Sequence, residues 1–112
     1  MNRVVDYPQV TDALLRDIVS RILEVGSPHK IVLFGSRARG EARADSHLDL
    51  LIVEESALPR YKRSARYLRA LTGLFPAKDV VVGTPEEIEA WAEVPHAFST
   101  TALREGKVLY AR

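Results

Sequence analysis

Lys30-Ile31-Val32-Leu33-Phe34-Gly35-Ser36, followed ten residues later by His47-Leu48-Asp49-Leu50-Leu51-Ile52-Val53, is the stretch on which the reading of this chain turns. Both parts hold an apolar run of strand length. In a strand, positions 47 and 49 share one face, while Leu48, Leu50 and Ile52 point to the other, toward a core. Asp49 then stands on the surface that the Gly35-Ser36 turn overlooks. At such a strand-to-helix turn, unpaired backbone N–H groups and the helix dipole favour an anion, and a phosphate would fit. Taken alone, the dipeptide reads first as a tight turn with Ser36 as a helix N-cap. Asp79 opens a third apolar run, Val80-Val81-Val82, in the same manner as Asp49. Two strand carboxylates beside apolar runs do little for stability. Near one another they would hold a divalent cation.

Working outward, Val10, Leu14, Leu15, Ile18, Val19, Ile22 and Leu23 recur at helical spacing, which predicts an amphipathic helix ending at Gly26 in a left-handed cap. Strands are predicted over Lys30–Phe34, Leu48–Val53 and Ala77–Val82, with an edge strand over Lys107–Tyr110. A long helix is predicted from Arg60 to Leu74, carrying Tyr61, Ala65, Leu68 and Leu71 inward. Thr84-Pro85-Glu86-Glu87 is a capping box with proline at the first helical position, so a short helix including Ile88 and Trp91 starts there. A last helix is expected over Phe98–Glu105, stopped by Gly106. The fold class is α/β of the α+β type, a mixed sheet covered by helices.

The chain has 112 residues, enough for one domain and too few for a second core, so 1–112 is read as a single domain. Apolar residues make up 46% and charged residues 28%, which excludes a disordered chain. No apolar run suits a membrane helix and no signal-peptide core opens the sequence, so a cytoplasmic protein without membrane attachment is expected. The absence of cysteine excludes disulfides and thiolate metal sites. A net charge of +1 gives no global attraction to nucleic acid, which is not an expected partner, so any polyanion site must be local. Arginine outnumbers lysine twelve to four, with one Asn, one Gln and one Met, a composition that points to a thermophile.

Phe34-Gly35-Ser36-Arg37-Ala38-Arg39-Gly40, the ten-residue spacing from Ser36 to the strand of Asp49, and Asp79 on the next strand resemble the minimal nucleotidyltransferases of the DNA polymerase beta-like superfamily. The resemblance extends to the closing Arg104-Glu105-Gly106-Lys107-Val108-Leu109-Tyr110. It implies the nucleotidyltransferase fold and transfer of a nucleoside monophosphate, AMP by preference, from ATP or another nucleoside triphosphate to a hydroxyl. In the family, an aspartate pair and a third carboxylate hold two Mg²⁺ ions. Carried over, Asp49 and Asp79 are the catalytic carboxylates, Gly35, Ser36, Arg37 and Arg39 bind the phosphates, and His47, Asp49 and Asp79 are the metal set. The resemblance further implies a helical HEPN-type partner protein, with this chain as the antitoxin half of a toxin–antitoxin pair. The acceptor is expected to bring its own surface, and a homo-oligomer is left open.

One position departs from the pattern: His47 stands where the family has the first aspartate of the pair. An imidazole is a poor ligand for Mg²⁺ and removes one negative charge, whereas Mn²⁺ accepts nitrogen more readily. Three roles remain open: a metal ligand, a remnant in an inactive site, or a substitution particular to this chain. The alternative function is therefore a non-catalytic antitoxin module that neutralises its partner by contact. Arg60, Lys62, Arg63, Arg66 and Arg69 form a basic stripe whose simplest reading is a solvated face. His29 and His96 read as surface or packing residues, and Trp91, near Phe98, as core or a subunit contact.

Overall fold

The computed structural model describes residues 10–39, 47–92, 94 and 104–112, with only the backbone of Ser36 and Arg39. The elements run in the order α1 (Asp12–Val25), β1 (Lys30–Phe34), α2 (Ser36–Arg39), β2 (Leu48–Val53), α3 (Arg60–Arg63), α4 (Ala65–Ala70), β3 (Lys78–Gly83), α5 (Pro85–Ala92) and β4 (Lys107–Ala111). The strands form one four-stranded sheet in the order β3-β2-β1-β4. β1 pairs antiparallel with both β2 and β4, while β2 and β3 are parallel, joined by the crossover that carries α3 and α4. The sheet is thus mixed, as expected. The last helix, His96 and Phe98 lie, wholly or in large part, outside the described residues. Among the described residues no helix is long and apolar enough to cross a membrane.

Alternation along β2 builds the two faces. Leu48, Leu50 and Ile52 join Ile31 and Leu33 of β1, Val82 of β3, Leu15, Ile18 and Ile22 of α1, Tyr67 of α4 and Leu71 just beyond it in the main core. Val32, Leu51 and Val53 point to the opposite face, where Phe34, Val81 and Ile88 of α5 pack on them. Asp49 has the parity of Leu51 and Val53, so it stands on this second face, away from α1 and α4. The capping box at α5 forms as read: Thr84 N–H donates to Glu87 Oε1 (2.9 Å) and Glu87 N–H to Thr84 Oγ1 (3.2 Å).

Three expectations are corrected. The helix predicted over Arg60–Leu74 breaks at Ser64 into α3 and α4, and its inward face differs in part: Leu71 is buried as expected, but it is joined by Arg63 and Tyr67, whereas Tyr61 is 79% and Leu68 40% exposed. The basic stripe is not wholly a solvated face. Arg63 donates to Glu87 Oε1 (2.6 Å) and to the Val82 carbonyl, and Arg66 donates to Glu54 Oε1 (2.5 Å). Both arginines find a carboxylate on a neighbouring element, and that pairing is what permits their burial or partial burial. Gly26 caps α1 in an extended conformation (φ −155°), not a left-handed one. What it supplies is space, since a Cβ there would overlap the Tyr67 hydroxyl and lie 2.8 Å from Tyr67 Cζ.

Candidate active site

The site is assembled where β1 ends and β2 and β3 begin. Phe34 is the register partner of Asp49 across the antiparallel pair, and Asp49 is the register partner of Asp79 across the parallel one. Neighbouring strands lie about 4.8 Å apart, so the two carboxylates start side by side on the same face. Two negative charges at such spacing repel, and a cation between or beside them relieves the repulsion.

Gly35 closes the site from the β1 side. Its φ of +75° is a conformation that favours glycine, and a Cβ there would overlap Asp49 Oδ2 and come within 3.3 Å of Asp49 Cγ. The turn therefore lies directly on the carboxylate. Behind it, Ala38 N–H donates to the Gly35 carbonyl (3.1 Å), opening the single turn of α2. Ala38 packs on the main core, which fixes α2 to the sheet. The sequence predicted that the turn overlooks Asp49; that glycine is needed there for contact with that same side chain was not read from it.

His47 precedes β2 and presents Nδ1 3.0 Å from Asp79 Oδ2. Both side chains are largely exposed, 57% and 60%. The contact engages one Asp79 oxygen with an imidazole nitrogen. Among the described residues, no three His, Cys, Asp or Glu side chains are grouped so as to hold a metal ion. The structure thus brings Gly35, His47, Asp49 and Asp79 to one end of the sheet and places Arg37 on α2 beside them. The side chains of Ser36 and Arg39 lie outside the described residues. His29, expected as a surface or packing residue, is half-buried at the far end of β1, with Nδ1 3.2 Å from Arg112 Nη2. Trp91 is partly buried and carries the Arg60 guanidinium 4.4 Å above its ring.

A polar cluster that the sequence did not reveal lies at the opposite end of β2. Glu54, 3% exposed, accepts from Arg66 and from the Tyr67 hydroxyl, and Arg66 also donates to the Val25 carbonyl (3.2 Å). Burial, with Glu54 as the hydrogen-bonded neighbour, pushes the Tyr67 hydroxyl well above the ordinary tyrosine range. Its sequence signal is slight: a carboxylate directly after an apolar strand.

Comparison with known proteins completes the assignment. The family model for the nucleotidyltransferase domain matches residues 13–106. This chain belongs to that nucleotidyltransferase family. The mixed sheet with helices is the fold of its structural neighbours. A protein from Sulfolobus solfataricus assigned as a nucleotidyltransferase superposes with a TM-score of 0.63 at 19% identity, over 90% of this chain and 80% of that one. A toxin–antitoxin structure with AMP-PNP gives 0.63 at 18% identity, covering 88% of this chain and 73% of that one. A mutant of the toxin–antitoxin MntA–HpeT gives 0.60 at 16% identity with the same coverage. At these identities the likeness is one of fold. No curated protein matches the chain.

Proposed function

We propose that this nucleotidyltransferase moves a nucleoside monophosphate, AMP by preference, from a nucleoside triphosphate to a hydroxyl on a helical HEPN-type partner, as the antitoxin half of a toxin–antitoxin pair. The observation that carries the reading is the pairing of Asp49 with Asp79 on adjacent strands, with the Gly35 turn lying on Asp49. The family match supports the transferase chemistry, and the toxin–antitoxin neighbours support the partner and, through AMP-PNP, an adenine nucleotide.

The family's divalent ion meets a suitable donor set here. Asp49 and Asp79 offer the oxygen ligands a hard cation prefers, and their mutual repulsion favours its capture. They would hold the ion, Mg²⁺ or Mn²⁺, and when bound it would neutralise phosphate charge and align the attacking and leaving oxygens. The chain's own groups do the rest. The backbone at Gly35 and Ser36 receives the outer phosphates, and Arg37 and Arg39 offset their charge through charge-assisted hydrogen bonds. His47 holds Asp79 from the outer side, at the cost of one carboxylate relative to the family pattern.

Calorimetry with ATP and Mn²⁺ tests the binding site, and mass spectrometry of the partner tests transfer. Binding should disappear in Ser36→Ala/Asp49→Asn; unchanged binding in that variant would place the nucleotide elsewhere. The His47–Asp79 contact favours a second reading, a non-catalytic antitoxin that acts by contact alone. A partner that binds tightly and gains no nucleotide, even with His47→Asp, would select it.

A further inference from the structure

The helical crossover between β2 and β3 has an outward face that the fold leaves uncovered. Leu58, Tyr61 and Leu68 are 50%, 79% and 40% exposed, and Ala65, also exposed, lies between the last two. Tyr61, Ala65 and Leu68 follow i, i+4, i+7 spacing, so they form one stripe along α3 and α4, with Leu58 at its head. This is the stripe that the periodicity of the sequence assigns to a core. Of the residues so assigned Leu71 does reach the core, which otherwise takes Arg63 and Tyr67 from the other side of the same helices.

Its borders are cationic. From Ser56 to Lys78 the sequence contains no acidic residue. Arg63 is neutralised by Glu87, which Arg60 shares, and Arg66 by Glu54. Lys62 and Arg69, seven residues apart on one border of the stripe, have no carboxylate partner among the described residues.

We infer that the outer face of α3 and α4 docks an amphipathic helix whose apolar side is bordered by acidic residues, supplied by the partner protein. An apolar stripe with one helical repeat is the complement of another helix, and the small Ala65 at its centre permits close approach. Lys62 and Arg69 select acidic borders and speed encounter with them. A single-stranded nucleic acid would call for bases stacked on several aromatic rings, and Tyr61 is the one ring on this stripe. The inference rests on the partner reading for the source of the helix, and its chemistry stands on the surface alone.

The test uses the full chain and a fluorescent, stapled amphipathic peptide with leucine along one face and glutamate along its borders. A scrambled peptide, oligouridylate and phosphatidylglycerol-containing vesicles serve as comparators. Wild type should bind the helix saturably and at least about tenfold more tightly than each comparator, with Leu68→Glu and Lys62→Glu/Arg69→Glu each weakening it by about tenfold or more. The charge-reversed double variant should regain affinity for the same peptide bordered by lysine, a rescue that misfolding cannot produce. Absence of binding, equal binding of the scrambled peptide, unchanged affinity in the variants, or tighter binding of RNA or vesicles each overturns the inference. Co-purification with the proposed helical partner separates the two readings. Co-purification with wild type and Leu68→Glu alike refutes this surface and leaves the partner standing. Failure to co-purify, with peptide binding intact, refutes the partner and leaves the surface.

Discussion

The two ends of β2 each carry a carboxylate and treat it in opposite ways. Glu54, just beyond the strand, is buried and fully engaged by Tyr67 and Arg66, and its charge ties the end of α1 to α4 and the sheet. Asp49, near the start, is half-buried on the opposite face, beside an Asp79 that is 60% exposed and touched by His47. A buried charge must be matched within the protein, so the Glu54 end is committed to structure. A pair of like charges on adjacent strands at the rim of the sheet keeps a mutual repulsion that a bound cation can relieve. One end should therefore fail in stability when altered, the other in binding.

Arg66→Ala tests the committed end and should give the largest effect. It leaves the Glu54 carboxylate, 4% exposed in its side chain, with the Tyr67 hydroxyl alone. Removing one partner of a buried pair costs on the order of 3 kcal/mol. Asp79→Asn, at the open end, should cost under about 0.5 kcal/mol while abolishing divalent-ion binding. Urea denaturation of both variants decides. Equal losses of stability would break the comparison.

The two glycines sharpen it next, because they are required for different reasons. Gly26→Ala should cost about 1–3 kcal/mol through overlap with Tyr67, since its extended φ suits any residue. Most of that loss should disappear in a Tyr67→Leu background, where both the hydroxyl and the Cζ atom that crowd the position are gone. Gly35→Ala should cost a similar amount, about 1–3 kcal/mol, from both its φ of +75° and its contact with Asp49. Asp49→Ala should recover only part of it, because the backbone strain persists, and nucleotide binding should be lost in either case. A double-mutant cycle on thermal stability separates the two patterns. Full recovery of Gly35→Ala by Asp49→Ala would show that side-chain overlap alone requires glycine there.

How much of this was legible in the sequence follows the same division. β2 was readable to the residue because its apolar run, interrupted only by Asp49, is buried on both faces of the sheet, and the α5 capping box because its bonds join residues three apart. The pairing of Asp49 with Asp79 was inferable from two similar strand openings, although the parallel direction that aligns them was not. The helical crossover was misread because its apolar stripe is the exposed one, while Arg63 enters the interior by virtue of Glu87, twenty-four residues further on. Pairing of that kind is a property of the folded chain, and local periodicity does not carry it. Gly26 was misread for the same reason, since its requirement comes from Tyr67.

Acid should expose the Glu87 cluster. The Arg63 guanidinium, with the Thr84 N–H, holds the Glu87 carboxyl down at about 2, against an ordinary value of 4.5. A depressed carboxylate contributes its stability in full above the ordinary value and loses it as pH falls toward the depressed one. Stability should therefore drop between pH 4.5 and about 2, by roughly 1 kcal/mol once screening at this partly exposed site is allowed for. Glu87→Gln should flatten that part of the curve. A wild-type slope that survives the substitution would place the acid sensitivity in other carboxylates.

The smallest effect on stability is expected at His47, and it bears most directly on the open end of the sheet. The side chain is 57% exposed, precedes β2 and packs in neither core, so His47→Asp should change stability without metal by under about 0.5 kcal/mol. The direction is destabilising, because the imidazole contact with Asp79 is replaced by a third negative charge near two others. That added repulsion is what a divalent ion can discharge. Mg²⁺ should accordingly raise the melting temperature of His47→Asp more than that of the wild type, by the linkage between ligand binding and folding. Mn²⁺, which tolerates nitrogen, should distinguish the two less sharply. If nucleotidyl transfer is measured in parallel, restoring one preorganised charged group should raise the Mg²⁺-dependent rate by on the order of 10²–10³. Equal Mg²⁺ stabilisation and equal rates in both forms would mean that His47 already serves the ion as well as a carboxylate, and the open end would then be no less committed to its own arrangement than the Glu54 end.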